Sequence, residues 1–423
     1  MKVCLFLVAL ITPMLVPGVA GTQAGATTTI LYRFTGGSDG RNPVGPLLID
    51  GAGNLYGVAQ YGGAGCGLIF ELSPPTQGTV WTESVLYTFG CGGDGAYPSA
   101  GLVFDAAGNL YGTTSGGGLC TFSCGVVFQL SPPAIGGGAW VYTVLHRFGG
   151  ADRPDGGQPN GNLILDPAGN LYGTAAFGGE FVCSIDPGPC GVVFELKLPA
   201  PSGGVWTEKV LYSFSDVPDG AYPAGGVIFD GKGNLYGNTS SGGTGLCTDG
   251  EGLTIGCGTA FQLSPTTTGS WTEKVLYNFG PVEDGPGARF TFGRDGFLYG
   301  TAAYDVFRLI PAASGSLWRH QVLHRFTEGI SGTIPSSGVT IDQNRDLYGT
   351  SASSGLSGFS TAFQLSPPST KGGRWSLTTL RRFGTGFDSN QPRGDLIRGK
   401  DGALYGATSA NAGGNGFVFR IVP

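Results

Sequence analysis

The chain has 423 residues, of which 80 are Gly and 27 are Pro, and only 12% are charged, about half the fraction usual in soluble domains. Its 40% hydrophobic and 11% aromatic residues exclude intrinsic disorder, and the lack of a three-residue Gly period excludes collagen. A net charge of −6 without any Lys or Arg cluster argues against nucleic acid or an anionic membrane as a partner.

The first predicted element is a secretory signal peptide over residues 1–26. Lys2 supplies a positive charge, and the apolar stretch from Leu5 to Val16 is too short to span a membrane. Small residues place the cleavage site after Ala20 or after Ala26. We therefore expect a secreted or periplasmic protein whose mature chain, residues 27–423, is a single domain without a membrane span.

The rest of the chain consists of seven repeats. Each contains the tripeptide Leu-Tyr-Gly, at residues 55–57, 110–112, 171–173, 235–237, 298–300, 347–349 and 404–406. The clearest repeat, from Pro98 to Phe148, has four runs of β-branched and aromatic residues bounded by Gly, Pro, Asp or Asn, which is typical of strands. Four strands in each of seven repeats predict an all-β fold, a seven-bladed β-propeller of four-stranded blades. An open solenoid is the alternative.

The two ends of the chain predict how the ring closes. Residues Thr28 to Phe34 match the fourth strand of a repeat, whereas the last repeat ends after its third strand, at Phe417 to Ile421. We expect the N-terminal strand to complete the last blade and leave no open sheet edge.

The repeated units Gly-Asn-Leu-Tyr-Gly-Thr-Thr, Gly-Val-Val-Phe-x-Leu-Ser-Pro and Val-Leu-Tyr-x-Phe recur in fixed order over residues 28–423. In this respect the chain resembles the GloVer repeat, which is found in exported bacterial choice-of-anchor proteins. The resemblance implies the fold and export. It implies no biochemical activity.

In four repeats Asp-x-x-Gly-Asn joins the first two strands, at residues 50–54, 105–109, 166–170 and 230–234. An Asp that bonds back to the backbone and a Gly in the left-handed region predict a tight hairpin. The alternative, a metal site, is disfavoured because Gly293 and Gly399 replace the Asp in two repeats. No metal or cofactor is predicted.

Other recurring side chains are interpreted structurally. The Leu and Tyr of Leu-Tyr-Gly should each pack on a different neighbouring blade. Glu83 and its two counterparts in Trp-Thr-Glu are expected on a solvated face, and His146 and His324 should replace a packed Tyr. One Trp opens the fourth strand of each of six repeats, where capping the outer edge of the blade is favoured over sugar binding: Trp81, Trp140, Trp206, Trp271, Trp318 and Trp375.

Eight Cys follow the signal peptide, and four occupy equivalent positions before the Gly that opens a third strand. Antiparallel pairing of the third and fourth strands places Cys66 beside Cys91. The other partners lie in the same loop, so the predicted disulfides are Cys66–Cys91, Cys120–Cys124, Cys183–Cys190 and Cys247–Cys257. Four local pairs fit an oxidising compartment better than tetrahedral metal clusters.

For function, we expect a non-catalytic binding or scaffold module, a monomer whose ligand is an unknown protein or carbohydrate. Its candidate surface is the face where loops between blades meet loops between second and third strands. The alternative is a polysaccharide-active enzyme that uses carboxylates on that face, with Asp249 and Glu251 as its only modest candidates. The candidate ligand-binding residues, which also predict turns because Gly follows most of them, are Asp39, Asp94, Asp155, Asp219, Asp284 and Asp388.

Overall fold

The computed structural model describes residues 25–120, 123–134, 137–183, 188–199, 203–248, 254–281, 285–312, 316–326, 334–352, 359–384, 391–409 and 414–423. These residues form seven antiparallel four-stranded sheets, arranged as the predicted seven-bladed propeller. In blades 1 to 6 chain order and spatial order agree, and in blade 7 the N-terminal strand takes the fourth place, so the first strand lies at the central channel and the fourth strand lies outermost.

Blades 1 to 3 have the same strand order, but their first strands differ in continuity. Blade 1 comprises Arg41–Ile49, Leu55–Tyr61, Leu68–Ser73 and Thr82–Thr88. In blade 2 the first strand is split, and the blade comprises Ala96–Pro98, Val103–Phe104, Leu110–Gly116, Val126–Ser131 and Val141–Arg147. Blade 3 is split in the same way, into Gly157–Pro159, Ile164–Leu165, Leu171–Phe177, Val192–Lys197 and Thr207–Ser213.

The remaining blades follow the same order. Blade 4 comprises Ala221–Phe229, Leu235–Ser241, Thr259–Pro265 and Trp271–Asn278, with a short hairpin of Cys247–Thr248 and Thr254–Ile255 in one loop. Blade 5 comprises Thr291–Phe292, Leu298–Ala302, Asp305–Ile310 and Arg319–Arg325. Blade 6 comprises Ile334–Pro335, Thr340–Ile341, Leu347–Ala352, Ser360–Ser366 and Ser376–Phe383. Blade 7 comprises Gln391–Arg398, Leu404–Ser409, Phe417–Val422 and, from the N-terminus, Thr27–Arg33.

The N-terminal strand closes the ring as predicted. Thr27–Arg33 pairs antiparallel with Phe417–Val422 and becomes the outer strand of blade 7. Leu31 and Phe34 are buried in the apolar cluster that joins blade 7 to blade 1, and the ring of Phe34 lies 5.1 Å from that of Phe70. The first strand of blade 1 therefore packs against a blade built from both ends of the chain.

The core consists of seven apolar layers, one in each contact surface between neighbouring blades, which we call a seam. Leu55 packs in the seam with blade 7 and Tyr56 in the seam with blade 2, as the alternation of a strand predicts. Gly57 completes this Leu-Tyr-Gly because a Cβ there would lie 2.5 Å from the ring of Phe70. The repeated tripeptide is thus explained by packing.

The Asp-x-x-Gly-Asn turns have the predicted geometry. Asp50 accepts hydrogen bonds from the backbone N–H groups of Ala52 and Asn54 at 2.8 and 2.9 Å, and Gly53 has a φ of +92°. Where Gly293 replaces the first Asp, Asp295 accepts the bonds two residues later. In all seven blades the Tyr hydroxyl of Leu-Tyr-Gly donates to the turn carboxylate, at 2.7 to 3.3 Å.

Four disulfides join the predicted pairs, with Cα–Cα distances of 5.2 to 5.7 Å. They fit an extracellular protein. None of the described segments forms a helix with the length and apolarity that crossing a membrane requires.

The disulfides should differ in their contribution to stability. Cys66–Cys91 spans 25 residues and Cys120–Cys124 only 4, and the loss of unfolded-state entropy grows with the length of the closed loop. Replacing the first pair by Ser should cost about 3 kcal/mol and the second about 2 kcal/mol. Urea unfolding of the two double variants measures the difference, and a larger loss for Cys120–Cys124 would contradict the entropic argument.

Candidate functional site

The central channel is formed by one short segment from every blade, which lies within or beside the first strand. Each segment reads Pro-x-x-x-Φ, where Φ is apolar, and at least one of the three residues after the Pro lines the channel. The segments begin at Pro43, Pro98, Pro159, Pro223, Pro286, Pro335 and Pro392. They enclose a cavity of about 310 Å³, together with Gln60 from a second strand.

Small residues dominate these channel segments because neighbouring backbones nearly touch. A Cβ on Gly394 would lie 2.2 Å from the carbonyl carbon of Gly45, and one on Gly161 would lie 2.4 Å from the Cα of Gly226. The same segments interrupt the first strand, since the pairing register shifts between Val44 and Leu48. The ring of backbone is therefore tight, and a long side chain here must point into the channel.

Three charged side chains break the repeat pattern at this ring. Among the described residues that line the cavity, only Arg289, Arg393 and Asp395 are charged. At the third residue after the Pro, the other five blades have Pro46, Gly101, Asn162, Gly226 and Gly338. Because five blades fold with an uncharged residue here, a charge present in one or two blades is not required by the repeated fold and points to a ligand.

The charges are held in a defined arrangement. Asp395 Oδ1 accepts a hydrogen bond from the backbone N–H of Gly338 at 2.7 Å, and its Oδ2 lies 3.4 Å from Arg289 Nη2. The Nε of Arg289 is buried and has no hydrogen-bond partner among the described residues. Arg393 is exposed and has no ion-pair partner in the described part of the chain. The described channel thus carries one net positive charge.

The structure places four of the six predicted Asp residues in the loops that enter blades 1 to 4. We call this side of the ring the Asp-loop face. Asp39 accepts hydrogen bonds from Thr35 N and Oγ1 at 2.7 and 2.6 Å and from the Tyr32 hydroxyl at 3.1 Å. Burial opposes the charge of Asp39, but these hydrogen bonds hold the pKa of its carboxyl below the usual value.

The other three described carboxylates of this set also accept hydrogen bonds from residues shortly before them in the chain. Asp94 accepts from Gly90 N and the Tyr87 hydroxyl, and Asp219 accepts from Ser215 and the Tyr212 hydroxyl. Asp155 accepts from Gly149 N at 3.0 Å. None of the four lines the channel cavity. These bonds support the turn interpretation, while a ligand role stays a prediction. The described residues do not include the other candidates, Asp284, Asp388, Asp249 and Glu251.

Changing Asp94 and Asp219 together to Asn separates the two roles. Both carboxylates accept backbone N–H bonds, so we expect a loss of about 1–2 kcal/mol of folding free energy and no change in calcium or glycan binding. Urea unfolding and calorimetric titration measure the two effects. Unchanged stability with lost binding would instead assign these residues to a ligand site.

Comparison with known proteins identifies the family. The Gloeobacter/Verrucomicrobia repeat matches residues 19–152 and 84–306, more than half of the chain. The chain belongs to this family. The resemblance to the GloVer repeat is thereby confirmed. No curated protein matches the chain.

Two solved structures show the same fold at low identity. The extracellular domain of a hybrid two-component system from B. thetaiotaomicron is 14% identical, with a TM-score of 0.53, and the match covers 94% of this chain and 42% of that one. A fungal alcohol oxidase of the AA5 family, in complex with copper, is 13% identical with the same TM-score, and the match covers 94% and 76%. Such distant likenesses support the fold alone.

In this Gloeobacter/Verrucomicrobia repeat protein, the Glu residues of Trp-Thr-Glu are not solvated, contrary to expectation. Glu83, Glu208 and Glu273 are half-buried in seams, and Oε1 of each is shielded from solvent without a hydrogen-bond partner. Burial, with a nearby Asp in the loop, raises the pKa of Glu83 to about 7 and of Glu273 to about 8. The prediction was wrong because the fourth strand of one blade packs against the next blade.

In some other seams an aromatic residue or a His stands at the position equivalent to Glu83, the second residue after the Trp. Tyr142 stands there in blade 2 and stacks on Tyr87 of blade 1, with ring centroids 3.9 Å apart. His320 stands there in blade 5 and stacks on Tyr277 of blade 4 at 5.2 Å. His146 packs edge-on against Phe148, as predicted for a replacement of Tyr. All of these side chains therefore belong to seams.

The Trp residues also pack in seams rather than capping the outer edge of a blade. Trp140 meets the ring of Tyr56 in blade 1 at 6.3 Å, and Trp206 meets Tyr111 in blade 2 at 6.1 Å. Each Trp is half-buried against the Tyr of the Leu-Tyr-Gly in the preceding blade of the ring. This arrangement favours the structural interpretation of the Trp series over a sugar-binding array.

The channel charges were missed although a sequence signal was present. When the seven Pro-x-x-x-Φ segments are aligned, Arg289, Arg393 and Asp395 stand out at once. The functional prediction favours the loops because they vary most in length. An exception in the channel segments is the stronger indication here, because the Pro and the apolar residue that bound each segment are kept in all seven repeats.

Proposed function

We propose that the protein is an exported binding module whose ligand enters the central channel from the Asp-loop face. The observation that carries the proposal is the set of charges at Arg289, Arg393 and Asp395, in a ring where the equivalent residues are otherwise uncharged. The seven blades hold these side chains on a closed, disulfide-linked scaffold, which favours recognition with little rearrangement. The partner is a carbohydrate or a protein that reaches into the channel.

The setting of the channel supports binding. A polar cavity of about 310 Å³ falls at the small end of ligand sites, which span about 300–1,000 Å³. Four disulfides agree with an extracellular location. The secretory signal over residues 1–26 remains part of the proposal, since residues 1–24 lie outside the described residues.

A second candidate function, hydrolysis of a polysaccharide, is favoured by one observation. In three seams a Glu of raised pKa faces an Asp of the neighbouring loop, as in Glu83 with Asp39, and pairs with separated pKa values are typical of glycosidases. However, one oxygen of each Glu is shielded from solvent. The pairs also recur at equivalent seams, which points to packing rather than to one catalytic centre.

The experiment that tests the proposal is a glycan and peptide array probed with the purified mature protein, followed by incubation of each hit with the protein. Binding without turnover supports the binding module. Release of shorter sugars would favour the hydrolase, provided that changing Glu83, Glu208 and Glu273 to Gln abolishes it. A binding signal that persists when Arg289 and Arg393 are both changed to Gln would remove the channel from the proposal.

A further inference from the structure

We propose that the channel binds a sugar acid, whose carboxylate is recognised by Arg289 and Arg393; this inference rests on the proposed binding function and specifies its ligand. Both arginines are among the residues that line the cavity. Arginine is the residue best suited to a carboxylate because its planar N–H groups can make two parallel hydrogen bonds. The chemical class is therefore an anionic ligand with a planar carboxylate.

The charge of Arg289 is only partly compensated within the protein. Its single ion-pair contact, to Asp395, is long at 3.4 Å, and its Nε has no hydrogen-bond partner among the described residues. Asp395 contacts Arg289 through Oδ2 at 3.4 Å, while its Oδ1 accepts a hydrogen bond from the backbone N–H of Gly338, so the pair is not the bidentate one that a guanidinium can form. A guanidinium left in this state attracts a further anion.

Arg393 supplies the second positive charge. It precedes Gly394 in the channel segment of blade 7, is exposed, and has no ion-pair partner in the described part of the chain. With Asp395 as the only described carboxylate lining the cavity, two cations face one anion. A bound carboxylate would bring the charge of the channel to zero.

The remaining lining favours a carbohydrate over an acidic peptide. The described residues that line the cavity include Gln60, Asn160 and Asn162, which carry amides, and Ser99 and Ser336, which carry hydroxyls. Asn162 Oδ1 already accepts from the backbone of Gly101 and Gln60 Oε1 from Asn42, which leaves the amide N–H groups to donate to sugar hydroxyls. The small volume suits one terminal sugar residue better than a folded partner, so we assign the channel to the end of a uronic-acid chain.

Isothermal titration with three probes tests the inference: tri-galacturonate, its methyl ester, and an acidic Asp/Glu hexapeptide. We expect tri-galacturonate to bind at least tenfold more tightly than its neutral methyl ester, with an affinity that falls as salt increases. Arg393→Gln should weaken binding at least tenfold. Arg289→Gln should do the same, and melting curves show whether that variant still folds.

The matched control is Arg319→Gln, which removes the same charge from an exposed position on the outer strand of blade 5. Its affinity should stay within twofold of the parent. Equal binding of the acid and its ester, equal loss in the control, or no binding of tri-galacturonate overturns the inference. Equal binding of the hexapeptide through the same arginines would replace the carbohydrate by a protein ligand.

These outcomes separate the inference from the proposed function. If the array gives hits that are neutral glycans or basic peptides, the binding module stands and the sugar-acid assignment is wrong. If the array gives no hit and tri-galacturonate does not bind, both fail. Binding of tri-galacturonate that depends on Arg393 supports both.

Discussion

Removing residues 27–34 destabilises the whole propeller, by about 5 kcal/mol or more. The truncation deletes the outer strand of blade 7 and, with it, the buried side chains of Leu31 and Phe34. It also exposes the edge of Phe417–Val422, which can then pair with another molecule. Thermal unfolding and size-exclusion chromatography, compared with a chain that starts at residue 25, measure both effects.

Point variants control for the severity of the deletion. Phe34→Ala and Phe279→Ala remove equivalent buried rings, one in the seam closed by the N-terminal strand and one in an interior seam. In a closed ring both should cost about 3–5 kcal/mol. A negligible cost for Phe34→Ala beside a large cost for Phe279→Ala would show that the terminal strand contributes little to closure.

Changing Glu83, Glu208 and Glu273 together to Gln should stabilise the protein at alkaline pH and flatten its pH dependence. In the folded protein burial raises the pKa of these carboxyls to about 7, 7 and 8, above the usual value of about 4.3. Their contribution to stability is therefore fully present below the unfolded pKa. It is lost as the pH rises through 7 to 8, because the folded state binds more protons than the unfolded state.

The expected gain of the triple variant at pH 9 is about 3 kcal/mol, or about 1 kcal/mol for each Glu after allowing for partial exposure. At pH 4, below the unfolded pKa, the parent and the variant should be nearly equal. Urea unfolding at both pH values measures the difference. The exposed Glu180→Gln is the matched control, and a similar gain for that control would mean that surface charge, not burial in the seams, causes the effect.

The repeats made most of the fold predictable. The seven Leu-Tyr-Gly copies, the strand permutation and the four disulfides follow from local patterns, because each blade repeats the same packing problem. Contacts between blades were harder to predict. Glu83 was assigned to a solvated face because the strand pattern shows which residues share a face but not what the neighbouring blade places against it.

The candidate site could be only partly predicted from the sequence, for a similar reason. The Asp-Gly turns at Asp94 and Asp219 were recognised from local chemistry, and their hydrogen bonds agree. In blades 1, 4 and 7 the pairing register shifts within the first strand at the channel segment, where residues such as Gly45, Gly225 and Gly394 line the channel. Bulges of this kind depend on contacts between distant segments, such as Gly45 with Gly394, that no single repeat encodes.

The ring of Pro-x-x-x-Φ segments has a consequence for how the protein can diversify. The first residue after each Pro varies from Val44 to Asn160 to Arg393 while the blades behind it keep the same core. The exposed members of this series that line the channel, such as Asn160 and Arg393, can change without altering the seams behind them, whereas Val44 is buried in the core between blades 1 and 2. Substitution at the exposed positions should change the chemistry that the opening accepts and leave the melting temperature nearly unchanged, so new specificities can arise there without passing through unstable intermediates.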